Sequence, residues 1–255
     1  MRVLELEYSI LNALFLSFLA GIATTIGAIF GLFVSKPSRR FIGLTLGFSA
    51  GVMIQISFVE LLRTSIDLVG FLTANVFFIG GIFLVFIFDI SIPHEYIEER
   101  TDSKNARLMK TGVLTAFGIS IHNFPEGFAT FAGALQSVEV GLLLTIAIAI
   151  HNIPEGFSVY MPIFAATGNR KKAFTYSLVS GLFEPIGALI GAIFLLPFLS
   201  DYLLNSILAF VAGIMVYISL DELLPTAYGD SKGHLSAIGI ILGIIVITIS
   251  LIALK

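Results

Sequence analysis

Long apolar stretches alternate with short polar ones along the entire chain. A bilayer asks a helix for about 20 predominantly apolar residues. Stretches of that length fall at roughly 9–34, 41–64, 71–92, 111–135, 138–164, 173–199, 205–225 and 234–254. The pattern predicts eight membrane-spanning helices joined mostly by short connections, with 1–255 forming a single transmembrane domain. The longest connection, 93–110, is the only strongly charged one. Glu5 and Glu7 precede the first span, which runs on too long for a cleaved leader and reads as a retained helix.

Composition agrees with the pattern. Of 255 residues 57% are hydrophobic and 12% charged, too few charges for a water-soluble domain of this size. Mean hydropathy is +1.00. Cysteine and tryptophan are absent, which excludes a disulfide framework, a thiolate metal site and a thiol nucleophile. A net charge of −3 implies no nucleic-acid partner.

The basic residues are sided. Lys36, Arg39, Arg40, Arg100, Lys104, Arg107, Lys110, Arg170, Lys171, Lys172 and Lys232 fall on one face of the predicted bundle. Arg2, Arg63 and Lys255 fall on the other, so 11 of the 14 share a side. The positive-inside rule then places both termini outside a prokaryotic inner membrane.

The chain also repeats itself. Gly51 to Leu62 in span two aligns without gaps to Gly213 to Leu224 in span seven, sharing Gly, Met, Ile, Ser, Glu, Leu and Leu. Spans one and six match through Gly21 with Gly181 and Ile26-Gly27-Ala28 with Ile186-Gly187-Ala188. Spans four and five repeat His122-Asn123-Phe124-Pro125-Glu126-Gly127 as His151-Asn152-Ile153-Pro154-Glu155-Gly156. Paired spans cross in opposite directions. Repeats of about 9–92 and 173–254 thus flank a central pair, 111–164, an inverted-repeat plan that supports alternating access around a midplane site.

Ionisable groups deep in a span cost about 2.5–3.5 kcal/mol each and are read as functional by default. The deep ones are His122, Glu126, His151, Glu155 and Glu184. His and Glu four residues apart share a helix face, while Asn123 and Asn152 sit about 100° around, toward a second ion. Pro125, Pro154 and Pro185 each remove a backbone donor and predict a kink beside a carboxylate. Met53 adds a candidate thioether. Imidazole, carboxylate and amide without thiolate suit Zn²⁺, Fe²⁺, Mn²⁺ or Cd²⁺ better than Ca²⁺ or Mg²⁺. A second polar set predicts a path: Glu60 near the outer end of span two, and Asp89, His94, Asp221 and Glu222 converging at the inner mouth.

These motifs make the chain resemble the ZIP (Zrt/Irt-like) metal transporter family, within it the bacterial ZupT-like branch. The resemblance covers essentially the whole sequence, from Lys36-Pro37-Ser38 to Asp221-Glu222-Leu223-Leu224-Pro225. It implies uptake of divalent transition metal through eight helices arranged three, two and three, with a binuclear centre. One ion would take Met53, His122, Glu126, His151 and Glu155; the other Asn123, Glu126, Asn152, Glu155 and Glu184. Some members carry Gln-Asp where this chain has His151-Asn152, which here means more imidazole and less negative charge. Many have a His-rich loop after span three; this chain has only His94 there. The metal is cargo, no cofactor is implied, and the reading admits a homodimer. The rival reading, an intramembrane zinc-dependent hydrolase, lacks a His-Glu-x-x-His pair and a third deep histidine.

Overall fold

The computed structural model describes residues 2–35, 38–91, 103–136, 138–195, 200–230 and 234–253. Among them there is no strand, and the predicted spans all appear as helices. They are α1 (Arg2–Leu32), α2 (Arg39–Ile56, continuing to Val69), α3 (Phe71–Ser91) and α4 (Ser103–Gln136). Then follow α5 (Val138–Thr167), α6 (Arg170–Ile190, continuing to Leu195), α7 (Asp201–Tyr217, continuing to Asp230) and α8 (Leu235–Ala253). Among the described residues, six helices are long and apolar enough to cross a bilayer on that ground alone. This is an all-α integral membrane fold of the 3+2+3 inverted-repeat type.

Short connections need specific caps. Ser38, Asn169 and Ser200 each accept a hydrogen bond from the backbone N–H three residues on, at 3.2, 2.9 and 3.2 Å, opening α2, α6 and α7. Gly70, at φ 85°, makes the abrupt turn from α2 to α3, a conformation that a Cβ would strain.

The helices pack as two groups. Helices α1, α4, α5 and α6 form one, and α2 with α8 and α3 with α7 form the other. The first group is held by close backbone approach. A Cβ on Gly127 would collide with the backbone of Glu184, and one on Gly156 with the backbone of Thr24. Likewise Gly187 meets the Phe124 carbonyl and Gly27 the Ile153 carbonyl. Each pair of contacts maps onto the other through the repeats, since 127 and 156, 184 and 24, 187 and 27, and 124 and 153 are equivalent positions. The α1/α6 match, weak as a string of letters, is therefore a pseudo-twofold packing relation.

Helices run without interruption through Pro125, Pro154, Pro162 and Pro185. The irregularities are instead widened, π-helical turns: Ser57–Leu62 in α2, Gly191–Leu195 in α6 and Ile218–Leu223 in α7. The α2 and α7 segments fall on the aligned repeat. In each, a serine hydroxyl donates back to a methionine carbonyl one turn earlier: Ser57 to Met53 at 2.7 Å and Ser219 to Met215 at 2.8 Å. Each segment also carries the repeat-related carboxylate, Glu60 or Glu222. Such bulges concentrate at functional positions because they re-aim side chains without ending the helix.

Candidate metal centre

The i, i+4 spacing works as the sequence suggests. His122 and Glu126 on α4 face His151 and Glu155 on α5, and all four are buried. The imidazole centroids lie 6.0 Å apart. Between them stands Glu126. Its Oε1 is 3.2 Å from His122 Nε2 and 3.1 Å from His151 Nε2, and its Oε2 is 3.3 Å from His151 Nε2. Glu155 Oε1 approaches His122 Nε2 to 3.5 Å. One ligand atom from each of His122, His151 and Glu155 can be chosen so that all lie within 4.8 Å of one another.

Glu126 and His151 are hydrogen-bonded to each other, whereas His122 and Glu155 are close to their neighbours without such a bond. Neither His122 nitrogen nor either Glu155 oxygen has a hydrogen-bond partner. A buried carboxylate without donors is costly, by several kcal/mol per ion in order of magnitude. A cation held among the same atoms removes that cost. The donor set fits a borderline metal, since two imidazoles and two carboxylates are the mixture such ions take.

The asparagines extend the site around the helices. Asn123 Nδ2 donates to the Ser180 carbonyl at 3.0 Å, and Asn152 Nδ2 to the Ala20 carbonyl at 3.1 Å, again a repeat-related pair. With each amide nitrogen anchored, the Oδ1 atoms of both asparagines remain buried and unpartnered. Asn152 also donates to Glu184 Oε2 at 2.7 Å, while Glu184 Oε1 has no partner. The position equivalent to Glu184 is Thr24, so the pseudo-twofold is broken in favour of one acidic flank. Asn152 thereby ties Glu184 to the His151-Glu155 helix.

Met53 is 1% exposed and belongs to the main hydrophobic cluster, alongside its repeat counterpart Met215. Glu60 lines a cavity of about 340 Å³ whose wall also contains Glu126 and His151. Residues such as Ile56, Leu144, Ile148 and Leu208 supply its apolar lining. One cavity thus extends from Glu60 to the edge of the central cluster.

At the opposite end, Asp89, Asp221 and Glu222 converge, offering oxygens within 4.8 Å of one another. His94 lies outside the described residues. The sequence reading missed what joins them. Lys110 Nζ is 2.8 Å from Asp89 Oδ1 and 3.6 Å from Glu222 Oε1. Thr111 Oγ1 donates to Glu222 Oε2 at 3.2 Å, and the Tyr217 hydroxyl to Asp89 Oδ2 at 3.4 Å. Lys110 stood in the sequence as one loop charge among many. A helical pattern carried one turn further toward the N-terminus of α4 would have placed it beside Thr111 on this cluster.

Comparison with known proteins points the same way. Residues 91–251 match the family model described as ZIP Zinc transporter. The zinc transporter ZupT of Streptococcus mutans is 46% identical, with 94% of this chain and 97% of the relative aligned. That of Chlorobium phaeovibrioides is 52% identical over 95% and 97%, and that of Campylobacter jejuni 44% over 94% and 95%.

Proposed function

We propose, for a chain that belongs to the ZIP zinc transporter family, that it takes up Zn²⁺, with Fe²⁺, Mn²⁺ and Cd²⁺ as further substrates, through a two-ion site between α2, α4, α5 and α6. That it is a multi-pass membrane transporter of divalent metal and not an enzyme follows from the family.

The observation that carries this reading is the Glu126 carboxylate set between two buried imidazoles in the wall of the Glu60 cavity. One ion is held by His122, Glu126, His151 and Glu155, with Met53 as the fifth ligand. The second is held by Asn123, Glu126, Asn152, Glu155 and Glu184. Glu126 and Glu155 serve both ions. Three carboxylates facing two divalent ions leave the pair short of negative charge, which favours release over trapping.

Entry is from the outer face past Glu60, with both termini outside, as the siting of basic residues suggests. Exit is toward the cytoplasm past Asp89, His94, Asp221 and Glu222. The repeat-related π-helical segments that carry Glu60 and Glu222 support a path with one station toward either end. The two helix groups supply a division for alternating access: α1, α4, α5 and α6 carry every proposed ligand but Met53, and α2, α3, α7 and α8 form the surface they move against.

Uptake into liposomes containing purified protein tests the proposal. Glu126→Ala and Glu155→Ala each abolish Zn²⁺ uptake while the protein stays monodisperse. Wild-type rates in either variant would overturn the assignment.

A further inference from the structure

We propose that Lys110 is a tethered counter-cation that latches the Glu222 end of the transporter shut until a metal ion displaces it. The inference rests on the proposed exit path, but its geometry is independent of the central ligands.

Lys110 lies on α4, twelve positions before His122 and so about 18 Å along the same helix axis. Its two carboxylate partners belong to the other helix group, Asp89 to α3 and Glu222 to the π-helical segment of α7. A single ammonium therefore bonds the helix that carries His122 and Glu126 to both helices facing it at this end. The partners are held ready. Thr111 Oγ1 and the Tyr217 hydroxyl position Glu222 and Asp89, and the Thr111 hydroxyl is also 2.8 Å from that of Thr226.

The ammonium stands where an ion would stand. Asp89, Asp221 and Glu222 present oxygens close enough to ligate one divalent cation. A lysine carries one positive charge against these three carboxylates, so a divalent ion arriving there is bound more strongly. The Lys110 side chain is 23% exposed, which leaves the pair weak enough to break. Exchange of one cation for another lets the mouth open without stranding a buried charge. At the Glu60 end the symmetry of sign fails: the position in α5 equivalent to Lys110 is Glu139, which supplies no cation for Glu60. The latch is thus built at one end, opposite the open cavity.

The absence of cysteine gives a clean test. Thr115, fully buried and one turn beyond Thr111 on the same face of α4, is replaced as Thr115→Cys. Its rate of reaction with a membrane-impermeant maleimide is measured in metal-free nanodiscs. Adding Lys110→Met, or separately Asp89→Asn, raises the rate roughly fivefold, the population shift that losing one partly exposed ion pair allows. Lys110→Arg keeps the original rate. In liposomes, the Zn²⁺ concentration that half-saturates exchange from the Glu222 side falls about fivefold in Lys110→Met by the same shift. Unchanged labelling in Lys110→Met, in protein that remains monodisperse, would overturn the latch. Labelling needs no transport, so failure of wild-type uptake would instead count against the proposed function alone.

Discussion

Gly156→Ala and Gly127→Ala are expected to destabilise the protein to similar extents. At both positions the added methyl meets backbone of a neighbouring helix: the Thr24 carbonyl group and Cα for Gly156, the Glu184 carbonyl group and Cα for Gly127. Backbone cannot swing aside as a side-chain end can, so α1 must part from α5, or α6 from α4. Overpacking of this kind costs about 1–3 kcal/mol, and more where rigid helices must separate. Replacing glycine by alanine inside a helix returns about 1 kcal/mol of propensity. At the upper end of that range, where rigid helices must separate, the net loss is about 2 kcal/mol, a fall in Tm of roughly 4–8 °C for a chain of this size. Gly80 is the internal control. A Cβ there meets only the Phe210 ring at 3.5 Å, an ordinary contact. Gly80→Ala should therefore leave Tm unchanged or raise it by about 2–4 °C through propensity alone. The assay is thermal unfolding of detergent-purified variants, read by fluorescence-detected size exclusion. Equal Tm for Gly80→Ala and the two motif variants would refute the close-packing account. A large difference between Gly127→Ala and Gly156→Ala would refute the pseudo-twofold.

Two further variants separate the proposed ions and stations. Glu184→Gln keeps the shape that accepts from Asn152 but removes a charge from the Asn-flanked ion; calorimetric zinc stoichiometry should drop from two to one, and an unchanged value of two would exclude Glu184 as a ligand. Glu60→Gln should raise the half-saturating Zn²⁺ concentration for uptake by about threefold to tenfold, the range of one modest electrostatic station, without altering stoichiometry. An unaltered half-saturation value would remove Glu60 from the path.

Much of this architecture was legible beforehand because membrane helices obey strict rules. Twenty apolar residues specify a span whatever surrounds it, and a four-residue step specifies one helix face. Those two rules suffice to pair His122 with Glu126 and His151 with Glu155. What stayed hidden depended on neighbouring helices. Pro125, Pro154 and Pro185 each withhold a backbone donor, but the sequence does not say what serves the carbonyls nearby, which are met by hydroxyls from other helices: Ser49 donates to Pro154 O at 3.0 Å and Ser177 to Gly156 O at 2.9 Å. The widened turns at Ser57 and Ser219 carry no proline or glycine, so nothing local announces them. Their signature was the repeat itself, in which Met, Ser and Glu recur at the spacing that the back-bonded turn uses. Lys110 was counted only for its sign, because its partners come from α3 and α7, more than a hundred residues apart in the case of Glu222.

The proposed metal centre lies between α4 and α5 and draws on both repeated motifs. Diffraction at the zinc absorption edge from crystals grown with Zn²⁺ tests it directly. An anomalous peak is expected among His122, Glu126, His151 and Glu155, with zinc–nitrogen distances of about 2.0–2.1 Å, and a second beside Asn123, Asn152 and Glu184. Zinc found only at surface carboxylates, with no peak between the two motif helices, would contradict it.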